Sequence, residues 1–202
     1  MDILETVRLR IRPFTMDDLT GAHRLLDLDI QWAGPSFSLE QRRQRLQRDM
    51  SLASWADTGR VYGYRAVVLK ETNEIIGICG FLPILWSART QALFWPQLFG
   101  ERAVNDTHRY ASLELEVGYA LSSRHRRRGY ATEAVTALLT YAFHELQVRR
   151  IFASTNRSNV GSIGLMRRIG MRIAINPEQP EVEWPGAPGV VGVIENSMIC
   201  YD

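Results

Sequence analysis

The stretch with the most chemical potential in this chain is Arg126-Arg127-Arg128-Gly129-Tyr130-Ala131. Gly129 can take backbone conformations that other residues avoid, and it lets a ligand come close to the main chain. Downstream, Ala131, Ala134, Val135, Leu138, Leu139, Ala142, Phe143 and Leu146 recur with i, i+3, i+4 spacing, which predicts an amphipathic helix. A helix starting here offers unpaired N–H groups and the positive end of its dipole. The arginines add charge-assisted hydrogen bonds. The sum is an anion site sized for a pyrophosphate. It is not a Walker loop, because no Gly-Lys-Ser/Thr follows, and a single glycine is too few for the dinucleotide fingerprint. On spacing alone the turn reads equally as a solvated basic surface, so a nucleic-acid-binding module using residues 124 to 128 is the alternative.

Two carboxylates stand just upstream. Ser112 to Leu121 alternates as a strand, with Leu113, Leu115, Val117, Tyr119 and Leu121 on one side and Glu114, Glu116, Gly118 and Ala120 on the other. Glu116 or Glu114 could take a proton from a reacting group, directly or through water. The bland reading is a surface carboxylate paired with an arginine. His108 and His125 read as solvated, and no His/Glu spacing suggests a metal. Cys79 and Cys200 exclude a disulfide framework, and their apolar surroundings suggest packing. No convincing nucleophile–base pair is present.

The elements that must position these groups follow from pattern and punctuation. Val7, Leu9 and Ile11 alternate with arginines as a strand that ends at Pro13. Thr15 can cap a helix, and Ser38 with Gln41 forms a capping box for an arginine-rich one. Tyr62 to Leu69 and Ile75 to Leu82 read as strands joined by the turn at residues 71 to 74. Ile151 to Thr155 is a short strand. Ser158 or Asn159 then caps a helix that stops at Gly170. Met171 to Ile175 and Val190 to Tyr201 complete about seven strands. Between them, residues 176 to 189 hold four prolines, together with Glu178, Glu181 and Glu183 and no basic residue. An acidic loop of this kind would attract a cationic partner. Residues 83 to 111 resist assignment. Their Trp86, Phe94, Trp95 and Phe99 read either as a partner surface, such as a homodimer contact, or as core.

Composition bounds the rest. At 202 residues, with 46% hydrophobic and 23% charged residues, the chain is expected to form one soluble globular domain. A net charge of +2 is too small for a dedicated nucleic-acid or membrane-surface binder. The longest apolar run, Ile75 to Trp86, is too short to span a membrane, and the N-terminus has no secretory pattern. A cytoplasmic location is expected.

The turn at Arg126 to Ala131 resembles the Arg/Gln-x-x-Gly-x-Gly/Ala motif of the GNAT superfamily of acyl-coenzyme A dependent N-acetyltransferases. Glu116-Val117-Gly118-Tyr119-Ala120-Leu121 looks like the strand that leads into it. Thr155 to Ser162 and Leu165 to Met171 are similar to the second half of its cofactor site. Glu5 to Pro13 resembles the opening of the ribosomal-protein N-terminal (alanine) acetyltransferase branch.

This resemblance implies an α/β fold with mixed α+β character: a central, mostly antiparallel sheet of about seven strands with helices on both faces. It implies a single acetyltransferase domain over 1–202, with an irregular insertion at about 83–111. By position, backbone N–H groups of Arg127, Arg128, Gly129, Tyr130, Ala131 and Thr132, with Arg126 beside them, would hold the pyrophosphate of acetyl-CoA. The Leu121 N–H would face the thioester oxygen. Asn159 would bond the pantetheine arm, Ser162 would reach the sulfur, and Arg168 would lie near the adenosine phosphates. Many members carry a tyrosine as acid four residues after the Ser162 position, where this chain has Met166. The implied reaction is direct attack by a primary amine, either a protein N-terminus or a small amine, in a ternary complex. No metal, membrane or nucleic acid would take part. A catalytically inactive acyl-CoA sensor of the same fold is the other alternative.

Overall fold

In a computed structural model, the structure describes residues 3–30, 36–55, 62–97, 110–176 and 189–197. Among the described residues, eight strands form one sheet in the order β1-β2-β3-β4-β5-β6-β8-β7. They are β1 Leu4–Glu5, β2 Leu9–Arg12, β3 Gly63–Leu69, β4 Glu74–Ser87, β5 Tyr110–Leu121, β6 Arg150–Asn156, β7 Arg172–Asn176 and β8 Gly189–Glu195. β5 and β6 run parallel, while β1/β2, β2/β3, β3/β4, β6/β8 and β7/β8 are antiparallel. The main helices are α1 Leu19–His23, α2 Leu39–Trp55, α3 Ala88–Ala92, α4 Tyr130–His144 and α5 Val160–Arg168. The α/β class and the mostly antiparallel sheet are as expected. The strand beyond the expected seven is β1.

The contacts divide the chain into two units, with boundaries that fall inside β4, β5 and α4. One comprises residues 1–81 and 118–141. Leu9 and Ile11 on β2 are fully buried, as alternation requires. Val7 departs from that pattern and is 92% exposed. It sits in a hairpin turn where the Thr6 N–H donates to the Leu9 carbonyl at 2.9 Å, so the strand begins later than Val7. The Thr15 N–H donates to Asp18 Oδ2 at 2.7 Å at the first helical turn. The Ser38–Gln41 capping box forms, with the Ser38 N–H donating to Gln41 Oε1 at 2.8 Å and the Gln41 N–H to Ser38 Oγ at 3.3 Å. Ala22, Leu25, Leu26, Leu46 and Ile78 make the core of this unit. Cys79 is buried, which pushes its thiol up to about 12 and leaves it as packing. Cys200 lies outside the described residues.

The second unit comprises residues 82–117 and 142–202. Its core gathers Trp86, Phe94, Trp95, Phe152, Val191 and Val193, with the Trp86 and Phe152 rings 5.1 Å apart. The aromatics that read as partner surface or core are therefore core, except Phe99, which lies outside the described residues. The segment after Leu82 is also more regular than its sequence suggests. β4 continues through Pro83 to Ser87, and α3 follows with Ser87 Oγ capping the Thr90 N–H at 3.1 Å. The register with β3 ends at Phe81, so the N–H that Pro83 lacks costs no rung of that ladder.

Candidate active site

In the first unit, β5 ends at Leu121 and a single turn of 3-10 helix covers Ser123–His125. Arg126 is extended, and its Nε donates back to the Leu121 carbonyl at 3.1 Å. Arg127 has φ +61° and Gly129 φ +82°, both in the left-handed region. Left-handed residues next to right-handed ones can turn successive N–H groups toward one side of a chain, as in anion-binding nests. α4 begins at Tyr130, and the Glu133 N–H donates to the Gly129 carbonyl at 3.0 Å. The amides of Tyr130, Ala131 and Thr132 thus lie in the first turn of α4, at the positive end of its dipole. Arg126, Arg127, Arg128 and Gly129 are exposed. The turn, the left-handed glycine and the helix start all fall where the sequence places them.

The same unit contains groups that pattern reading missed. Glu133 accepts from Thr6 Oγ1 at 2.6 Å, from the Arg8 N–H at 2.9 Å and from Arg8 Nε at 2.7 Å. Burial opposes its ionisation, but the bonds from Thr6 and Arg8 prevail and hold the carboxyl below its ordinary value. His125 is buried rather than solvated, with Nε2 3.8 Å from Glu74 and its ring 6.5 Å from that of Tyr130. His108 lies outside the described residues.

In the second unit, two rungs join β5 to β6, Leu115↔Ile151 and Glu116↔Phe152. The Ser154 hydroxyl donates to Glu116 Oε1. Glu114 is buried and takes a hydrogen bond from Arg150 Nε at 2.9 Å. Leu113, expected on the apolar side of the strand, is 64% exposed. Here the buried face of the strand is taken by Glu114, paired with Arg150, and Leu113 faces the other side. Asn159 caps α5, its Oδ1 accepting from the Ser162 N–H at 3.1 Å. Ser162 is half-buried and Arg168 exposed. Met166 is fully buried, and a Cβ at Gly192 would come within 3.3 Å of its sulfur. That position packs against β8. Glu178, Glu181 and Glu183 lie outside the described residues.

The acetyltransferase (GNAT) domain model matches residues 8–172. An N-acetyltransferase of Bacillus licheniformis named p20 is 26% identical over 185 residues, covering 85% of this chain and 83% of the relative. Among solved structures, a GNAT-family acetyltransferase from Bacillus anthracis superposes with TM-score 0.69 at 20% identity, covering 96% of this chain and 98% of its own. RimL, an α-N-protein acetyltransferase of ribosomal L7/L12 solved with coenzyme A, gives TM-score 0.66 at 15% identity, with coverages of 96% and 98%.

Proposed function

The chain belongs to the acetyltransferase (GNAT) domain family, and on that premise we propose that it transfers an acetyl group from acetyl-CoA to a primary amine. The observation that carries this is the turn at Arg126 to Gly129 opening α4. Its left-handed glycine, first-turn amides and arginines suit a pyrophosphate. The Cβ of any other residue at position 129 would crowd Arg8 Nη2 at 3.3 Å and strain the backbone. The fit therefore rests on this chain's own geometry.

When bound, acetyl-CoA supplies an activated acyl thioester. Backbone N–H groups of Arg127 to Thr132 hold its pyrophosphate, with Arg126 beside them, and Arg168 serves the adenosine end. The Asn159 side-chain amide bonds the pantetheine arm, and the Leu121 N–H polarises the thioester carbonyl. Glu116 receives the proton that the attacking amine gives up as the new C–N bond forms and the C–S bond breaks. It does so directly or through water. Glu114 is tied to Arg150, which leaves it less available to the amine. Met166 has no acidic hydrogen and is buried in packing. Protonation of the departing thiolate therefore falls to Ser162, a water or another tyrosine.

The preferred acceptor is a protein N-terminus. An α-amino group has a pKa near 8, against about 10.4 for a lysine, and needs less help to become neutral. One structural neighbour is a ribosomal-protein α-N-acetyltransferase, which points the same way. Turnover of acetyl-CoA against a panel of N-terminal peptides and small amines tests the reading. Binding without turnover across the panel would favour an acyl-CoA sensor.

A further inference from the structure

Arg8 is distant in sequence from the turn at Arg126 to Gly129 and forms no part of its motif. Its guanidinium is nonetheless held on several sides. Nε lies 2.7 Å and Nη2 2.6 Å from Glu133 Oε2. Nη1 donates to the Arg128 carbonyl at 3.0 Å, and the guanidinium carbon stands 4.5 Å over the Tyr130 ring. Glu133 is itself fixed by Thr6 Oγ1 at 2.6 Å.

The bond to the Arg128 carbonyl has a consequence for the turn. A trans peptide unit is planar, so its C=O and N–H point in opposite directions. Drawing the Arg128 carbonyl toward Arg8 therefore points the Gly129 N–H away from it. Gly129 tolerates both signs of φ, so nothing in its own sterics prevents this peptide from turning over. A flipped peptide would present a carbonyl oxygen where an anion needs a donor.

We propose that Arg8 is a positioning residue for the pyrophosphate cradle, holding the Arg128–Gly129 peptide so that the Gly129 N–H faces the anion. This rests on the reading of the turn given under Proposed function. Glu133 then acts through Arg8. Its carboxylate aids the binding of an anion at the same helix end, although the two charges repel.

The test compares acetyl-CoA with S-acetylpantetheine, the same thioester without the pyrophosphate. The proteins are the parent chain, Arg8→Met, Glu133→Gln and the double variant. The ratio of kcat/KM values, acetyl-CoA over S-acetylpantetheine, should fall about tenfold in each single variant, the scale of one charge-assisted hydrogen bond. The double variant should fall little further, since the two residues act as one unit. Calorimetric affinity for acetyl-CoA should weaken in Glu133→Gln. If Arg8 instead touched the phosphates as a bare charge, removing its carboxylate partner would tighten binding, and that result overturns the proposal. So does a parent-like ratio in Arg8→Met. A parent that does not prefer acetyl-CoA removes the pyrophosphate reading and the proposal with it. Should Arg8→Met fail to fold, the isosteric Glu133→Gln carries the same comparison.

Discussion

Arg150 Nε donates to Glu114 Oε2 at 2.9 Å, with the two side chains only 15% and 8% exposed. Arg150 Nη2 also reaches Gln91 Oε1 at 2.9 Å, and its guanidinium stacks 4.5 Å from the Trp95 ring. The two carboxylates that alternate along β5 therefore differ in kind. Glu114 is a fixed internal partner, whereas Glu116 meets a serine hydroxyl.

Substitution should separate the two. Glu114→Gln leaves Arg150 with an uncompensated buried charge and should lower stability by about 3 kcal/mol in urea denaturation. Glu116→Gln should leave the denaturation midpoint near that of the parent and lower kcat by about 10² to 10⁴ if it is the sole base. The reverse pattern would exchange the roles.

A second prediction concerns Asn159. Its Oδ1 is occupied as the cap of α5, while its amide group carries the donors proposed for the pantetheine arm. Asn159→Asp keeps the capping oxygen and removes those donors. It should melt like the parent but bind acetyl-CoA more weakly. Asn159→Ala loses both functions and should also lose about 1 kcal/mol of stability. Unchanged affinity in Asn159→Asp would confine the residue to capping.

How much of this was legible in the sequence follows the range of each interaction. α4, the Ser38–Gln41 box, the Asn159 cap and the left-handed Gly129 depend on neighbours within one helical turn, and pattern finds them. The pairs Arg8–Glu133 and Glu114–Arg150 join residues far apart in the chain, so no local spacing signals them. Val7 looked like strand because alternation cannot see the hairpin turn that precedes Leu9. Pro83 suggested the end of a strand because sequence does not reveal where pairing with β3 stops. The aromatics Trp86, Phe94 and Trp95 were ambiguous until Phe152 and β8 supplied the core they fill.

Acid should destabilise the fold in a traceable way. Burial opposes the ionisation of Asp27, but bonds from Arg42 and the Phe37 N–H prevail and hold the carboxyl below its ordinary value. Asp18 behaves alike, burial being outweighed by Arg12 and Thr15. A lowered carboxyl contributes stability that is complete above the unfolded value and is lost as pH falls through the folded one. Urea midpoints should therefore hold down to about pH 4 and fall below it. Asp27→Asn should be less stable near neutrality and show a shallower acid loss. An equally steep acid loss in that variant would remove Asp27 from the explanation.

Isothermal titration of acetyl-CoA into the parent chain and into Gly129→Val bears most directly on the central claim, followed by coenzyme A release in the presence of an N-terminal peptide. Valine at φ +82° strains the turn and brings a Cβ within 3.3 Å of Arg8 Nη2. The account predicts saturable binding by the parent, at least about tenfold weaker binding by a folded Gly129→Val, and one coenzyme A released for each acetylated amine. Equal binding by both proteins would contradict it. So would a parent that ignores acetyl-CoA and instead binds nucleic acid with steep salt dependence.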